Sequence, residues 1–306
     1  MKVRPTVAAP VLLIVVFALI VAAGAIPDGV LGFNDNPYLA TVIIQLVIFA
    51  LPSLFFCTLR GSEYRRRLRL RVPPLSCILI TVCATLLMIT GSAVIEYFMS
   101  ALAPDAVAAT SASETAAFAM NSGLFDGLYL VLAFAVLPAV TEEFLFRGII
   151  MTEYGSLGVI CAVIMSSITF AMSHMSPVRL PEYLFCGIVL ALLAYASRSI
   201  IASMAAHTLY NAVVIFFEDH VIRIAEKQNI SSILFVIISA VLALTMAAVF
   251  AFEASGLYRG YGADNVPSDH LPKKPTGLPT ALIASLLSPS FLLLTVMYIV
   301  IAVVRS

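Results

Sequence analysis

The amino-acid sequence predicts an all-α protein, a multi-pass integral membrane helical bundle. Of its 306 residues, 61% are hydrophobic and 11% are charged, and the mean hydropathy is +1.05. Soluble proteins are about 45–50% apolar and about 25% charged. The apolar residues run without alternation over windows of about 20 residues, the length of a helix that crosses a bilayer. Barrel strands would alternate, so only helices can satisfy the backbone of these segments in lipid.

The apolar windows divide the chain into about eight to nine predicted transmembrane helices. The candidate windows are residues 10–26, 39–59, 75–98, 124–151, 157–175, 182–197, 199–217, 230–252 and 281–304. No repeat or soluble domain is visible, so residues 1–306 are predicted to form a single membrane domain. The segment 254–280 is rich in Gly, Pro and Asp, which predicts a solvated loop before the last helix.

The charges between the windows predict the orientation of the chain. Residues 60–74 hold six arginines and one glutamate, so by the positive-inside rule this loop and the N-terminus are expected on the cytoplasmic side. A contact of the loop with anionic lipids is the alternative use of these arginines. The expected location is a prokaryotic cytoplasmic membrane, with the lipid bilayer as a partner. The net charge is zero, which gives no reason to expect a nucleic-acid partner.

Three charges stand together in the apolar stretch TEEFLFRG, at residues 141–148. An ionisable group inside a membrane span costs roughly 2.5–3.5 kcal/mol, and such groups usually mark function. Glu143 and Arg147 are four residues apart on a helix, so they share a face and can pair. Glu142 points about 100° away and has no local partner. Because Pro138 removes a backbone hydrogen bond one turn earlier, we expect a kink beside this freer carboxylate.

Two histidines and an asparagine on later helices can reach the same depth as Glu142. If the chain turns near residues 155–158, Glu142 and His174 both lie about 24 Å from the turn, at 1.5 Å per residue. His207 lies early in a helix that returns from the next hairpin, and Asn211 follows it by one helical turn on the same face. The loop charges alone would set His174 nearer the outer surface than Glu142. The two residues can lie at the same depth only if the helix of Glu142 projects beyond the membrane.

These residues form three motifs in the order EExxxR, FxxxH and HxxxN. They stand here at 142–147, 170–174 and 207–211, with Phe170 before His174. The set resembles the CPBP intramembrane proteases, also called the Abi or CAAX-protease-and-bacteriocin-processing family, and within it the type 2 CAAX prenyl proteases. The resemblance covers roughly residues 124–217, which are expected to be the catalytic core helices.

The resemblance implies an endopeptidase that cuts a membrane-bound protein or peptide, prenylated or bacteriocin-like. By family analogy, Glu142 and His174 activate water, and His207 with Asn211 stabilises the oxyanion. Glu143, Arg147 and Phe170 are expected to support the structure. No cofactor is certain, and Glu142, His174 and His207 are a possible zinc set with an open position for water. No HExxH motif is present, and the sequence leaves the zinc and metal-free mechanisms both open.

Each motif also has a purely structural interpretation. Glu143 and Arg147 can be a structural ion pair, a buried histidine is often only a satisfied core residue, and Asn211 can join helices by hydrogen bonding. Buried Glu and His residues are also typical of proton relays. The alternative functions are therefore a proton-coupled transporter, or a non-catalytic membrane scaffold or immunity protein.

Overall fold

Helices make up nearly all of the described chain. The computed structural model describes residues 4–26, 37–109, 124–227, 230–263 and 278–305, and these ranges contain no strand. The all-α prediction is confirmed. The main helices, in chain order, are α1 (Pro5–Gly24), α2 (Thr41–Arg60), α3 (Leu75–Leu102), α4 (Gly127–Leu157), α5 (Val159–Ser173), α6 (Leu180–Ala196), α7 (Ile200–Lys227), α8 (Ser232–Ala263), α9 (Leu278–Leu286) and α10 (Pro289–Arg305).

Each predicted window coincides with one of these helices, but the helices differ in length. Among the described residues, five helices are long and apolar enough to cross a membrane, or six if α9 and α10, bent by 58°, form one span. The apolar parts of α5, α6 and α7 are shorter. At 1.5 Å per residue, α5 spans about 22 Å, less than a typical hydrocarbon core of about 30 Å. The described residues therefore contain five or more candidate membrane spans, and the predicted count of eight to nine is not confirmed.

Part of the loop predicted at 254–280 is helical. Helix α8 continues to Ala263, and α9 begins at Leu278; residues 264–277 lie outside the described residues. Tertiary contacts hold the end of α8 in place, because the Tyr261 hydroxyl donates to the Ala196 carbonyl over 3.0 Å and the Arg198 guanidinium lies 3.9 Å from the Tyr261 ring.

Two buried clusters form the core, and α6 belongs to both. One cluster joins side chains of α1, α2, α4, α5, α6 and α10, and the other joins α3, α6, α7 and α8. The five cysteines are buried and free, as expected for small packing residues. Helices α4 to α7, which include the three motif helices α4, α5 and α7, therefore lie at the centre of the bundle, with other helices packed around them.

Prolines in α2 and α4 do not end their helices. A wide turn of π type precedes each one, over Gln45–Ala50 before Pro52 and over Val131–Val136 before Pro138. A proline leaves a carbonyl of the preceding turn without its donor, and a widened turn accommodates the ring. A third wide turn, Phe144–Ile150, carries the arginine of the first motif without any proline. Such turns often occur at functional sites.

The arginine-rich loop packs across one end of the bundle. Arg60 forms an ion pair with Glu153 of α4 at 2.5 Å, and the Tyr64 hydroxyl donates to the Ile149 carbonyl. Arg71 donates to the carbonyl of Arg198, just before α7, over 2.7 Å. The loop thus fixes the ends of the motif helices, a structural role beyond the topology signal that the sequence predicted.

Candidate active site

The buried ion pair predicted within α4 is present. Arg147 Nη1 lies 2.5 Å from Glu143 Oε1, and both side chains are 0% exposed. Arg147 Nη2 donates to the Gly187 carbonyl of α6 over 2.9 Å. The guanidinium carbon lies 4.4 Å from the centre of the Phe170 ring. Arg147 therefore neutralises Glu143 and also links α4 to α5 and α6.

Glu143 has a second partner that the sequence did not predict. His207 Nδ1 lies 3.0 Å from Glu143 Oε1, and His207 is 5% exposed. A carboxylate on one imidazole nitrogen fixes the orientation of the ring. Glu143 thus connects the first motif to the third.

His174 is held at the end of α5 by two contacts. Its Nδ1 lies 3.0 Å from the Phe170 carbonyl oxygen, one turn earlier. Because a carbonyl only accepts, Nδ1 carries the proton, and in the neutral ring Nε2 keeps its lone pair. The ring also stacks on Tyr183 of α6, with centroids 3.9 Å apart and an interplanar angle of 21°. The side chain is therefore oriented with its basic nitrogen available.

Phe170 joins the three motifs. Its ring lies edge-on to His174, with centroids 4.8 Å apart, and to His207, at 5.7 Å. The same ring packs against Phe146 at 5.4 Å and under Arg147. Because one aromatic ring contacts both imidazoles and the guanidinium, side chains from α4, α5 and α7 meet at one place. Phe170 was predicted only to pack beside His174.

Glu142 lies near His174. Its carboxylate is near enough to interact electrostatically with His174, Arg147 and Tyr183, and the residue is 7% exposed. As an α-helix, the 31 residues of α4 would extend roughly 46 Å. This length exceeds the hydrocarbon thickness, so α4 is long enough to project beyond the membrane. Glu142 has no partner on its own helix, as predicted.

Glu142 does have a partner on another helix. Nε2 of Gln45, on α2, lies 3.4 Å from Glu142 Oε1, and Thr141 Oγ1 lies 2.7 Å from Gln45 Oε1. Gln45 was missed, as was the stacking role of Tyr183. A lone amide within an apolar span was the available signal for Gln45, since such groups are costly in lipid unless they bond to another helix.

Asn211 follows His207 by one turn on α7 and is partly exposed. Within the described part of the chain, its side chain makes no hydrogen bond to the other motif residues. The structure therefore brings Asn211 to the same helix face without joining it to the network around Phe170.

The zinc set that the sequence left open is not assembled as a cluster in the described residues. In the described ranges, no group of three or more His, Cys, Asp or Glu side chains is arranged to hold a metal ion. Zinc dependence therefore stays a prediction, to be tested by metal analysis of the purified protein and by a chelator.

Comparison with known families supports the resemblance seen in the motifs. Residues 122–213 match the family described as type II CAAX prenyl endopeptidase Rce1-like. The matched range contains all three motifs and covers somewhat under a third of the chain. Searches of curated proteins and of solved structures found no significant match. The family match supports an intramembrane CAAX endopeptidase that acts on a membrane-associated protein.

Proposed function

We propose that this protein is an intramembrane endopeptidase in which Glu142 and His174 activate water and His207 and Asn211 stabilise the oxyanion. The observation that carries the proposal is the meeting of the three motifs around Phe170, whose ring contacts Arg147, His174 and His207. A purely structural ion pair would explain Glu143 and Arg147. It would not explain why two imidazoles lie beside a second carboxylate, that of Glu142.

Water activation is assigned to the less compensated carboxylate and to His174. Arg147 pairs with Glu143, so Glu142 keeps the capacity to accept a proton. His174 Nε2 is a second acceptor, because Nδ1 is occupied by the Phe170 carbonyl. The water oxygen attacks the scissile carbonyl carbon as its proton passes to one of these groups. That group then returns the proton to the amide nitrogen as the C–N bond breaks.

Oxyanion stabilisation is assigned to His207 and Asn211. In this scheme Nδ1–H of His207 donates to the Glu143 carboxylate, and Nε2–H of the same ring donates to the oxyanion. Asn211 supplies an amide N–H from the same face of α7, one turn further along. Glu143 and Arg147 are positioning residues in this scheme, since they act through His207 and through the helix contacts.

The proposed substrate is a membrane-anchored protein or peptide with a prenylated C-terminal region, as the matched family description indicates. Buried side chains in an apolar bundle favour a substrate that partitions into the bilayer. The loop 60–74 and the segments it contacts, including Arg198 and Glu153, share one end of the bundle. We assign that end, with the N-terminus, to the cytoplasmic side.

The test is cleavage of lipid-anchored peptides by the purified protein in liposomes. We expect Glu142→Gln to lower the cleavage rate by about 10²–10⁴-fold, the usual contribution of a general base. Glu63→Gln is the matched control, because the Glu63 side chain is 80% exposed. Product mass spectrometry identifies the bond that is cut.

Three results would contradict the proposal. The first is that the wild type cuts no membrane peptide. The second is that peptide termini in cells are the same with Glu142→Ala as with the wild type. Cleavage could also persist in Glu142→Gln, which would remove Glu142 from the mechanism. Proton flux that is lost in Glu142→Gln without any cleavage would favour the transporter instead.

A further inference from the structure

Gln45 is a buried amide in a helix that is otherwise strongly apolar. It is 8% exposed and begins the wide turn Gln45–Ala50 of α2. The residue lies outside the range 122–213 that matches the endopeptidase family. Nothing in the motifs therefore assigns it a role, and a buried amide in a membrane protein needs a partner.

The partners of Gln45 are the two neighbouring residues Thr141 and Glu142 of α4. Gln45 Nε2 lies 3.4 Å from Glu142 Oε1, and Thr141 Oγ1 lies 2.7 Å from Gln45 Oε1. Thr141 Oγ1 is also 3.0 Å from the Leu137 carbonyl oxygen. Within the described part of the chain, Gln45 is the only hydrogen-bond partner of the Glu142 carboxylate.

We propose that Gln45 is a positioning residue that orients Glu142 and hydrogen-bonds it in both of its protonation states. The inference rests on the proposed function, because it takes Glu142 as the group that accepts and returns the proton. It extends the site beyond the matched core to α2, which lies almost 100 residues upstream.

The geometry allows two hydrogen-bond patterns among Thr141, Gln45 and Glu142. In the first, the Thr141 hydroxyl donates to Gln45 Oε1, and Nε2 donates to the ionised Glu142 carboxylate. In the second, the amide is turned over: Nε2 donates to Thr141 Oγ1, whose proton goes to the Leu137 carbonyl, and Oε1 accepts from protonated Glu142. In each pattern the hydroxyl proton, any carboxyl proton and one N–H of the Gln45 amide meet an acceptor, so a half-turn of the amide follows the transfer of the proton.

The first test needs no substrate. The infrared carboxylate band of Glu142 is identified as the band lost in Glu142→Gln. We expect this band to shift in Gln45→Met, which keeps the length of the side chain without its amide. Ser53→Ala is the control, because Ser53 is a buried polar residue on the same helix, and it should leave the band in place. Gln45→Leu is the second variant if Gln45→Met does not fold.

The second test separates positioning from general support of the fold. We expect Gln45→Met to lower kcat about 10-fold or more, as for the loss of a hydrogen bond to a charged group, with KM changed by less than about 2-fold. Thr141→Val should lower kcat less. The double variant should be no slower than Gln45→Met, because Thr141 acts through Gln45.

The outcomes distinguish this inference from the proposed function. An unchanged carboxylate band, or additive effects of Gln45→Met and Thr141→Val, would overturn the role of Gln45 even if the protein cuts peptides. A shifted band in a protein that cuts no peptide would support the contact between Gln45 and Glu142 and overturn the endopeptidase proposal.

Discussion

The two sides of the candidate site differ in how their charges are compensated. On one side, Glu143 pairs with Arg147 at 2.5 Å and bonds to His207 at 3.0 Å, and the ion pair is 0% exposed. On the other side, the Glu142 carboxylate has one hydrogen bond among the described residues, the 3.4 Å contact to Gln45, and His174 is bound to a backbone carbonyl. The Phe170 ring contacts both sides, which we call the paired side and the open side.

The difference divides positioning from reactivity. A charge that is fully paired and buried holds its neighbours in place, but it has little remaining capacity to exchange a proton. A carboxylate with one weak partner keeps that capacity. Two adjacent glutamates can therefore have different roles, and the roles follow from what each contacts. Changes on the paired side should affect stability first, and changes on the open side should affect catalysis first.

The largest effect on stability is expected from Arg147→Met. The substitution leaves the Glu143 carboxylate buried without its cation, which typically costs about 3–5 kcal/mol. Thermal unfolding can be followed with a thiol-reactive dye, since all five cysteines are buried and free. The double variant Glu143→Gln with Arg147→Met removes both charges and should melt above Arg147→Met. Equal melting of Arg147→Met and the wild type would show that the pair contributes little.

An intermediate effect is expected from Gly187→Ala, which acts on the boundary between the two sides. A Cβ at Gly187 would lie 3.1 Å from Ser167 Cα and 3.3 Å from Phe170 Cδ1, so α6 must move away from α5. We expect a loss of about 1–3 kcal/mol, as for overpacking elsewhere, together with slower cleavage as Phe170 shifts.

Gly256→Ala is the matched control for Gly187→Ala. A Cβ at Gly256 would meet no atom within 4 Å, and an alanine there favours the helix by about 0.5–1 kcal/mol. The two variants should therefore change the melting temperature in opposite directions. A loss of stability in both would contradict the assignment of tight packing to Gly187.

The smallest effect is expected on the open side, from Tyr183→Leu. The variant loses the stack on His174, and an aromatic pair contributes about 0.5–1.5 kcal/mol. Cleavage should slow by roughly 2- to 10-fold, with a smaller change in melting. Tyr183→Phe keeps the ring and should retain most of the activity. Equal rates for the Leu and Phe variants would show that stacking does not orient His174.

Much of the fold could be predicted because lipid imposes strong constraints on sequence. Apolar windows located all the main helices, since a lipid-exposed backbone must satisfy its own hydrogen bonds. Their lengths were less predictable. Composition cannot distinguish a short buried helix such as α5 from a true span, and Gly and Asp near residue 260 indicated a loop where contacts of Tyr261 keep α8 helical.

The site was predictable where its residues follow helical spacing. The pair of Glu143 and Arg147 followed from a spacing of four residues. The bond from His207 to Glu143 joins residues 64 apart, and no local pattern predicts such a contact. The catalytic roles of Glu142, His174, His207 and Asn211 stay predictions until cleavage is measured.

The sequence by itself determined that this chain is a helical membrane protein and that its polar residues form three motifs in a fixed order. Hydropathy and helical periodicity are local properties, so they can be read from neighbouring residues. Only the tertiary structure decided that Phe170 lies between the two histidines, that Gln45 reaches Glu142 and that residues 60–74 pack on the helix ends. These contacts depend on how separate helices pack, which spacing along one helix does not specify.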